Sequence, residues 1–485
     1  MTSDACGGGR TALIRRSGNL IHVFPPEQEL LAPHLTYKKR EQKSGNYKEA
    51  EYVTVEMWEV VDGGLLTPAG FTARVSTLLR ENGYNIRYED YREKTLPDPD
   101  FTRLDRLRDG QDEILVAIVS HDCGVIQAPT GSGKSFIIRQ ICKIWPLARI
   151  IIACPYTDVL KQTYAELCEI ISSQEIGFVG AGKSDRSKRV VCCVTNSLMR
   201  CELDKCDIFI FDEVHRAAAP KTAEAIARIR TARMYGFSAS PYGRSDNADL
   251  ATEAIFGKSI CILSYQEVQK KGSIVPVQVR LYDTAHIDSM MASTTTALER
   301  RGLWRNQKRN MLIVSAVQDL LSEFEDPQIL ISVKTTEHAV FLGHLLPDFK
   351  LCYANMGLKK REMWEAWKLI KAGEHPITAK QREEMRDNFK TGTLRKVIAT
   401  GIWSTGVDFP GLNVIIRADG QAGQIQNTQI PGRVTRRDGE KRVGIVVDFN
   451  DLFNPTLLAR AKKRLTEYRK KGWKIEIVAT PYQSQ

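Results

Sequence analysis

The chain has 485 residues, of which 42% are hydrophobic and 26% are charged, as in an ordinary soluble protein. This length is too great for one hydrophobic core and predicts two or three domains. The net charge of +11 favours a polyanionic partner, and no apolar stretch approaches the ~20 residues that span a bilayer. With no signal-peptide pattern at residues 1–9, the sequence predicts a cytoplasmic protein.

The first part of the chain, residues 1–95, has the pattern of a small α+β domain without a catalytic constellation. Residues 12–24 predict a hairpin, the lysine-rich residues 38–48 a loop, and the alternating residues 52–60 a strand with one buried face. Thr67 is predicted to cap a helix. Basic residues of this domain are equally consistent with a duplex-DNA contact or with a solubilising surface; they are Arg15, Arg16, Lys38, Lys39, Arg40 and Lys43.

A buried strand followed by a phosphate-binding loop is predicted at residues 123–135. The backbone N–H groups of such a turn, and the N-terminus of the next helix, bind polyphosphate. Lys134 is predicted to reach the β- and γ-phosphates, and Ser135 to hold Mg²⁺. The alternative for the loop alone is a tight turn with a surface lysine, because Ala128 replaces the glycine of the strict pattern. The candidate nucleotide-binding residues here are Ala128, Pro129, Thr130, Gly131, Ser132, Gly133, Lys134 and Ser135.

Two adjacent carboxylates follow the apolar run at residues 208–211. Such a run is typical of a strand buried in a parallel sheet, and ligands bind at the carboxyl ends of these strands. Asp212 is suited to ligating Mg²⁺ and Glu213 to activating the attacking water. His215 is a further catalytic candidate in the same segment. The alternative is an acidic strand end that caps the next helix.

Positive charge follows far downstream, where Arg433 and Arg436 are three residues apart. In a helix they would share one face, and guanidinium groups stabilise the charge that develops on a transferred phosphoryl group. This role requires a second domain to close onto the first. The alternative is a solvated or phosphate-contacting basic face. Gln429 is a catalytic candidate in the same segment.

In this order the three motifs resemble those of superfamily 2 helicases. The resemblance implies an α/β fold with two RecA-like parallel-sheet lobes in tandem behind a small α+β domain, and ATP and Mg²⁺ as cofactors. Arg108 and Gln111 resemble the adenine-reading element, Gly406 and Asp408 a nucleotide-sensing loop, and residues 238–241 the segment that links hydrolysis to strand movement. Residues that resemble the family's nucleic-acid contacts are Pro155, Thr157, Thr195, Ser332 and Thr400.

Within the superfamily, the Asp-Glu-x-His form and residues 63–71 resemble the bacteriophage UvsW type, which is similar in role to RecG. That resemblance implies a monomeric motor in the host cytoplasm or nucleoid. Its partner would be branched or forked duplex DNA and single strands, in fork regression, branch migration, recombination and repair. Two alternatives remain open: an RNA helicase or restriction-type motor, and a nucleic-acid-stimulated ATPase that clamps without moving.

The predicted domains are residues 1–95, residues 96–275 as lobe 1, and residues 276–485 as lobe 2. Strands are expected near Val125, Ile150, Val190, Ile208 and Met234 in lobe 1, and near Ile329, Val397, Val414 and Val443 in lobe 2.

Two further segments of lobe 2 stand out. Residues 357–377 are more than the helicase family usually has in this part of lobe 2, and they include Trp364 and Trp367. The helical spacing of these tryptophans favours a core role over base stacking. A basic helix near the end of the chain is equally consistent with a solvated face or a phosphate-contacting surface; its basic residues are Arg460, Lys462, Lys463, Arg464, Arg469, Lys470 and Lys471.

Overall fold

The computed structural model describes most of the chain, namely residues 10–42, 50–92, 96–229, 233–243, 247–284, 294–353, 361–362, 364–365, 377–403, 409–423, 430–439 and 441–478. The chain divides into two compact units. The first comprises Met1–Ala128 and Gly133–Leu263, and the second comprises Pro129–Ser132 and Ser264–Gln485. The N-terminal region therefore shares a unit with the first large sheet, and the second unit begins earlier than the predicted boundary at residue 275.

The N-terminal region forms a five-stranded sheet, a separate two-stranded ribbon and two helices. Its elements are β1 (Arg10–Ser17), β2 (Leu20–Phe24), α1 (Gln28–Leu31), β3 (Thr36–Gln42), β4 (Ala50–Glu56), β5 (Glu59–Val61), β6 (Gly64–Pro68), α2 (Thr72–Glu81) and β7 (Tyr84–Asp90). The sheet order is β5-β6-β2-β1-β7, and β3 pairs with β4 alone. Leu79 and Val75 of α2 are buried against this sheet.

The predicted hairpin at residues 12–24 is confirmed by the antiparallel pairing of β1 and β2. Three other predictions for this region are wrong. Residues 38–42 are strand rather than loop, because β3 pairs with β4 over its whole length. Residues 52–60 form two strands, and the first is largely exposed on both faces. Thr67 caps no helix: it lies in β6, where its hydroxyl donates to the carbonyl of Met57 at 2.7 Å.

An eight-stranded sheet forms the rest of the first unit. Its strands are β8 (Cys123–Gln127), β9 (Ile150–Cys154), β10 (Ile176–Gly180), β11 (Lys183–Ser184), β12 (Val190–Val194), β13 (Ile208–Asp212), β14 (Arg233–Ser238) and β15 (Ser259–Ile262). The order is β11-β10-β12-β9-β13-β14-β8-β15, and only the β10–β11 pair is antiparallel. The helices around it are α3 (Gln111–Ser120), α4 (Lys134–Ile144), α5 (Thr157–Cys168), α6 (Pro220–Ile226) and α7 (Asp249–Phe256). All five strands predicted for lobe 1 are confirmed.

The second unit is built on a seven-stranded sheet, which is parallel throughout. Its strands are β16 (Val277–Asp283), β17 (Ile329–Ser332), β18 (Lys350–Cys352), β19 (Lys396–Ala399), β20 (Val414–Arg417), β21 (Gly444–Asn450) and β22 (Lys474–Val478). The order is β18-β19-β17-β20-β21-β16-β22. Its helices are α8 (Tyr265–Lys270), α9 (Thr295–Glu299), α10 (Gln307–Glu323), α11 (Thr336–Leu345), α12 (Ala379–Lys390) and α13 (Pro455–Lys470). The four strands predicted for lobe 2 are confirmed.

The basic C-terminal helix, α13, is only partly a solvated face. Arg464 is fully buried, where its guanidinium donates to both carboxylate oxygens of Asp448. Arg460 is paired with Glu299, and Lys471 is buried. The prediction was wrong for Arg464, because a long basic side chain can lie on a buried helix face when a carboxylate on a nearby strand neutralises it.

Two smaller outcomes concern tryptophans and the membrane. Trp364 is buried, which confirms its core role, whereas Trp367 lies outside the described residues. Across the described ranges, the helices are all too short or too polar to traverse a bilayer.

Candidate nucleotide-binding and catalytic site

Three neighbouring strands of the first unit bring the candidate site together. β14 lies between β13 and β8, and all three run in the same direction. The loop with Lys134 follows β8, the carboxylates of Asp212 and Glu213 end β13, and Ser238 ends β14. The carboxyl edge of a parallel sheet is where ligands bind in open α/β folds. Lys134, Glu213 and Ser238 therefore lie at one edge of the sheet.

The loop between β8 and α4 has the backbone of a phosphate cradle. Gly131 and Gly133 both have φ of 88°, a left-handed conformation that places successive N–H groups on one side. A Cβ atom at Gly133 would lie 2.2 Å from Nε2 of Gln111, a side-chain end that can move, so it is the positive φ that favours glycine there. Lys134 opens the eleven-residue helix α4, and its ammonium donates to the carbonyl of Ala128 at 2.9 Å. The lysine is thus held across its own loop.

Glu213 has a strained backbone, with φ of 63°. A non-glycine residue in the left-handed region costs free energy, and such residues cluster at functional sites. The strain turns the chain sharply at the end of β13, and the N–H of Glu213 donates to Oδ1 of Asp212 at 3.1 Å. Burial raises the pKa of Asp212, while the positive charge of Lys134 and the N–H of Glu213 act in the opposite direction. That interaction places the lysine and the aspartate in the same electrostatic environment.

Ser238 links the carboxylate segment to the end of β14. Its hydroxyl donates to Oε2 of Glu213 at 3.4 Å and contacts Nδ1 of His215 at 3.3 Å. The N–H of Ser240 donates to the same hydroxyl at 3.1 Å. Nδ1 of His215 also lies 3.4 Å from Oε2 of Glu213. A change at Glu213 can therefore be transmitted to residues 238–240 through one side chain.

Gly236 is a site residue that the sequence did not single out. A Cβ atom at this position would lie 2.3 Å from Cγ2 of Val214 and 3.4 Å from Phe256. Phe256 in turn packs against Phe209 and Phe211, whose ring centroids lie 6.3 and 6.1 Å away. The close approach at Gly236 is what allows the segment after Glu213 to pack on β14. A glycine two residues before Ser238 was the only signal in the sequence.

The adenine-reading candidates differ in their surroundings. Gln111 is buried, and its Oε1 accepts from the N–H of Arg108 at 2.9 Å. The side-chain amide of Gln111 lies against Gly133 and therefore packs on the phosphate loop. The side chain of Arg108 is exposed. The adenine contact itself stays a prediction for both residues.

The nucleic-acid candidates of the first unit lie on the same edge, next to the catalytic strands. Pro155 and Thr157 follow β9, and Thr195 follows β12. Since β9 neighbours both β12 and β13, these residues continue the line from Glu213. In the second unit, Ser332 ends β17 and Thr400 follows β19, which are adjacent strands. Each unit thus presents its candidates at the carboxyl edge of its own sheet.

The candidate arginines do not share a helix. The short 3₁₀ helix covers Pro431–Thr435, and the backbone of Arg436 is extended and bridges to Ile274. Arg433 is buried, with its guanidinium 5.8 Å from the centroid of the Phe409 ring. The proposed shared helical face is therefore wrong. Gly406, Asp408 and Gln429 lie outside the described residues.

The donor set also fits the predicted metal. Ser135 offers a hydroxyl oxygen and Asp212 a carboxylate oxygen, and oxygen ligands of this kind suit Mg²⁺. Both follow strands that flank β14.

Two family models match the chain, in the order of the two sheets. The "Type III restriction enzyme, res subunit" model matches residues 105–243, which hold the phosphate loop and Glu213. The "Helicase conserved C-terminal domain" model matches residues 312–438 of the second unit. The chain is a superfamily 2 helicase. As such, it is an ATP-driven enzyme that acts on nucleic acid.

Known proteins resemble this helicase at low identity. The "DNA 3'-5' translocase XPB2" of Sulfurisphaera tokodaii is 23% identical over 374 residues, which are 73% of this chain and 84% of that protein. The structure of Saccharomyces cerevisiae Dbp5 bound to RNA and ADP BeF3 aligns with 78% of this chain and 91% of its own, at 16% identity and a TM-score of 0.53. It supports the two-lobed α/β fold alone.

The structure of T4 UvsW aligns with 97% of this helicase and 99% of its own chain, at 15% identity and a TM-score of 0.43. That score is too low to support a closer relation. The UvsW type therefore stays a prediction.

Proposed function

We propose that this helicase is an ATP-dependent DNA translocase that acts on branched DNA, with roles in fork regression, branch migration, recombination and repair. The observation that carries the proposal is the group formed by Glu213, His215 and Ser238 beside the loop of Lys134. It ties a candidate water-activating carboxylate to the segment that follows β14. An ATPase that does not move along DNA needs the carboxylate, but it does not need hydrogen bonds that connect this carboxylate to the segment after β14.

In the proposed reaction, Lys134 binds the β- and γ-phosphates, and the N–H groups of the loop hold the remaining oxygens. Ser135 and Asp212 would hold Mg²⁺, which would neutralise charge on the phosphates. Glu213 accepts a proton from the attacking water. Arg433 and Arg436 are assigned the role of stabilising the negative charge that develops on the γ-phosphate. This role requires the second unit to close on the first.

A nucleic-acid partner is supported by two observations, of which the first favours DNA. The Sulfurisphaera relative is named a DNA 3'-5' translocase, and the net charge of +11 favours a polyanion of either kind. The candidates at the sheet edges, such as Thr157, Thr195 and Thr400, are short polar side chains suited to backbone contacts. Backbone contacts carry little sequence information, so we expect selection by DNA structure rather than by sequence.

Strand displacement on four substrates tests the proposal. We expect ATP-dependent unwinding of forked DNA and Holliday junctions, weaker activity on a simple single-stranded tail, and none on duplex RNA. Glu213→Gln is the matched control, because it should bind the same substrates without unwinding them. Preference for the RNA duplex would refute the choice of DNA. ATP hydrolysis stimulated by DNA without displacement or translocation would identify a clamp instead.

A further inference from the structure

A short π-helical turn joins α9 to α10 in the second unit, at Arg300–Trp304. Single π turns within helical segments are rare and occur frequently at functional sites. This turn projects arginine side chains from both of its ends, at Arg300 and at the adjacent Arg305. Neither residue belongs to a motif that the proposed function uses.

Two buried carboxylates hold basic side chains around this turn. Glu337 accepts from Nη2 of Arg300 at 3.0 Å and from Nε of Arg305 at 2.5 Å. Glu299 accepts from Nζ of Lys334 and from Nη1 of Arg460, both at 2.7 Å. We refer to Arg300, Arg305 and Lys334 as the turn cluster.

The turn cluster has an excess of positive charge and remains accessible. Four cations share two carboxylates, so this hydrogen-bonded group is cationic. The carboxylates are buried, whereas 49% of the Arg300, 41% of the Arg305 and 39% of the Lys334 side chain is exposed. Burial raises the pKa of Glu299, but the hydrogen bonds from Lys334 and Arg460 outweigh it and leave that pKa lowered. Glu299 therefore stays charged, and the hydrogen bonds to both carboxylates fix the orientation of the cations.

Aromatic side chains restrain the guanidinium groups further. Arg300 lies 6.0 Å from the ring centroid of Trp304, and Arg305 lies 5.9 Å from that of Phe341. An ordinary surface ion pair loses side-chain entropy on forming and contributes little stability. Here the entropy is lost before any ligand arrives, which lowers the cost of binding an anion.

The position of the turn cluster indicates which anion it meets. Lys334 follows β17 by two residues, next to the nucleic-acid candidate Ser332. Glu337 lies in the first turn of α11, and Gln421, after β20, also donates to Glu299. All of these lie at the carboxyl edge of the second sheet, where the backbone of a nucleic-acid strand is expected.

We propose that the turn cluster is a phosphate-binding surface for the DNA backbone, additional to the motif residues of this lobe. The proposal rests on the proposed function, because it extends the path of the strand from Ser332 across Lys334 to the π turn. The ligand is the phosphodiester group, so the contact is independent of base sequence.

The test is the salt dependence of DNA binding by the full chain. Fluorescence anisotropy of forked and single-stranded DNA is measured between about 50 and 200 mM KCl. Each lost phosphate contact should reduce the magnitude of the negative slope of log K against log[salt] by about 0.7 to 0.9. For Arg300→Gln/Arg305→Gln/Lys334→Gln we expect a slope smaller by about 2 to 3 and a weaker affinity at 50 mM salt. Lys350→Gln is the matched control, since Lys350 is exposed at the opposite edge of the same sheet.

A charge-preserving variant separates binding from folding. Arg300→Lys/Arg305→Lys keeps both charges, and its slope should differ from the wild-type slope by no more than the change expected for about one phosphate contact. Lys334→Gln alone should lower the slope by about one contact with an unchanged unfolding temperature. The proposal is overturned if the triple glutamine variant keeps the wild-type slope. It is also overturned if the slope of the double lysine variant falls in magnitude as much as that of the triple glutamine variant. A wild-type protein that bound no nucleic acid would refute the proposed function and the turn cluster together.

Discussion

Replacing Gly236 by alanine tests whether close packing behind Glu213 sets the catalytic geometry. The added methyl group would lie 2.3 Å from Cγ2 and 2.9 Å from Cβ of Val214. Carbon atoms in contact are normally about 3.5 to 4.0 Å apart, so the overlap exceeds about 1 Å. Both Gly236 and Val214 are within the interior of the first unit, and Phe256 limits movement from the other side.

The overlap should cost about 1 to 3 kcal/mol of unfolding free energy, as extra methyl groups do in packed cores. Part of the stress can be relieved by moving Val214, and Val214 is bonded to Glu213. A displacement of about 1 Å at a catalytic group can lower turnover about 100-fold. We therefore expect Gly236→Ala to lose ATP turnover by about that factor while it still binds DNA.

The assay is a double-mutant cycle with Val214→Ala, read by DNA-stimulated ATP hydrolysis and by thermal unfolding. Val214→Ala removes Cγ2 and leaves only the 2.9 Å approach of Cβ to be relieved. The double variant should hydrolyse ATP faster than Gly236→Ala alone, with a favourable coupling of about 0.5 to 3 kcal/mol. Losses in the double variant that equal the sum of the single losses would refute the reasoning, as would wild-type turnover in Gly236→Ala.

Three further changes give distinct results. Glu213→Gln should lower ATP hydrolysis about 100- to 10,000-fold with DNA affinity unchanged, because the amide cannot accept the proton from water; normal turnover with DNA present would contradict the assignment. Ser238→Ala should reduce strand displacement more than ATP hydrolysis, since the hydrogen bonds that join Glu213 to residues 238–240 are lost; equal reductions of both rates would contradict it. Arg74→Glu should lower the unfolding free energy by about 1 to 3 kcal/mol, because Arg74 donates to both carboxylate oxygens of Glu253. Glu253→Arg should restore much of that loss, and no rescue would show that the pair is not the cause.

Much of the first-unit site was predictable because its signals are local. An apolar run followed by glycines and Lys134 specifies strand, turn and helix within a dozen residues. The same holds for the run that ends at Asp212. Neither pattern required knowledge of which strands are neighbours.

The errors fall where the deciding contact is made by a different strand or helix. β3 was predicted as a loop from its lysines, but its backbone is satisfied by β4. Arg464 reads as surface from its type alone, yet Asp448 on β21 neutralises it in the interior. Polarity predicts exposure only when no partner of opposite charge is folded against the residue.

Glu213 and the turn cluster differ in whether a sequence motif reveals them. The candidate catalytic carboxylate of Glu213 lies in a contiguous motif, and its strained backbone is part of the turn that the motif makes. The turn cluster has no contiguous motif, because Arg300 lies in the π turn, Arg305 follows that turn and Lys334 follows β17. Pre-oriented cations on buried acids are a feature of tertiary structure. We expect relatives to retain the charge pattern of such a surface while changing the residues that supply it, since a phosphate is bound equally well from different helices.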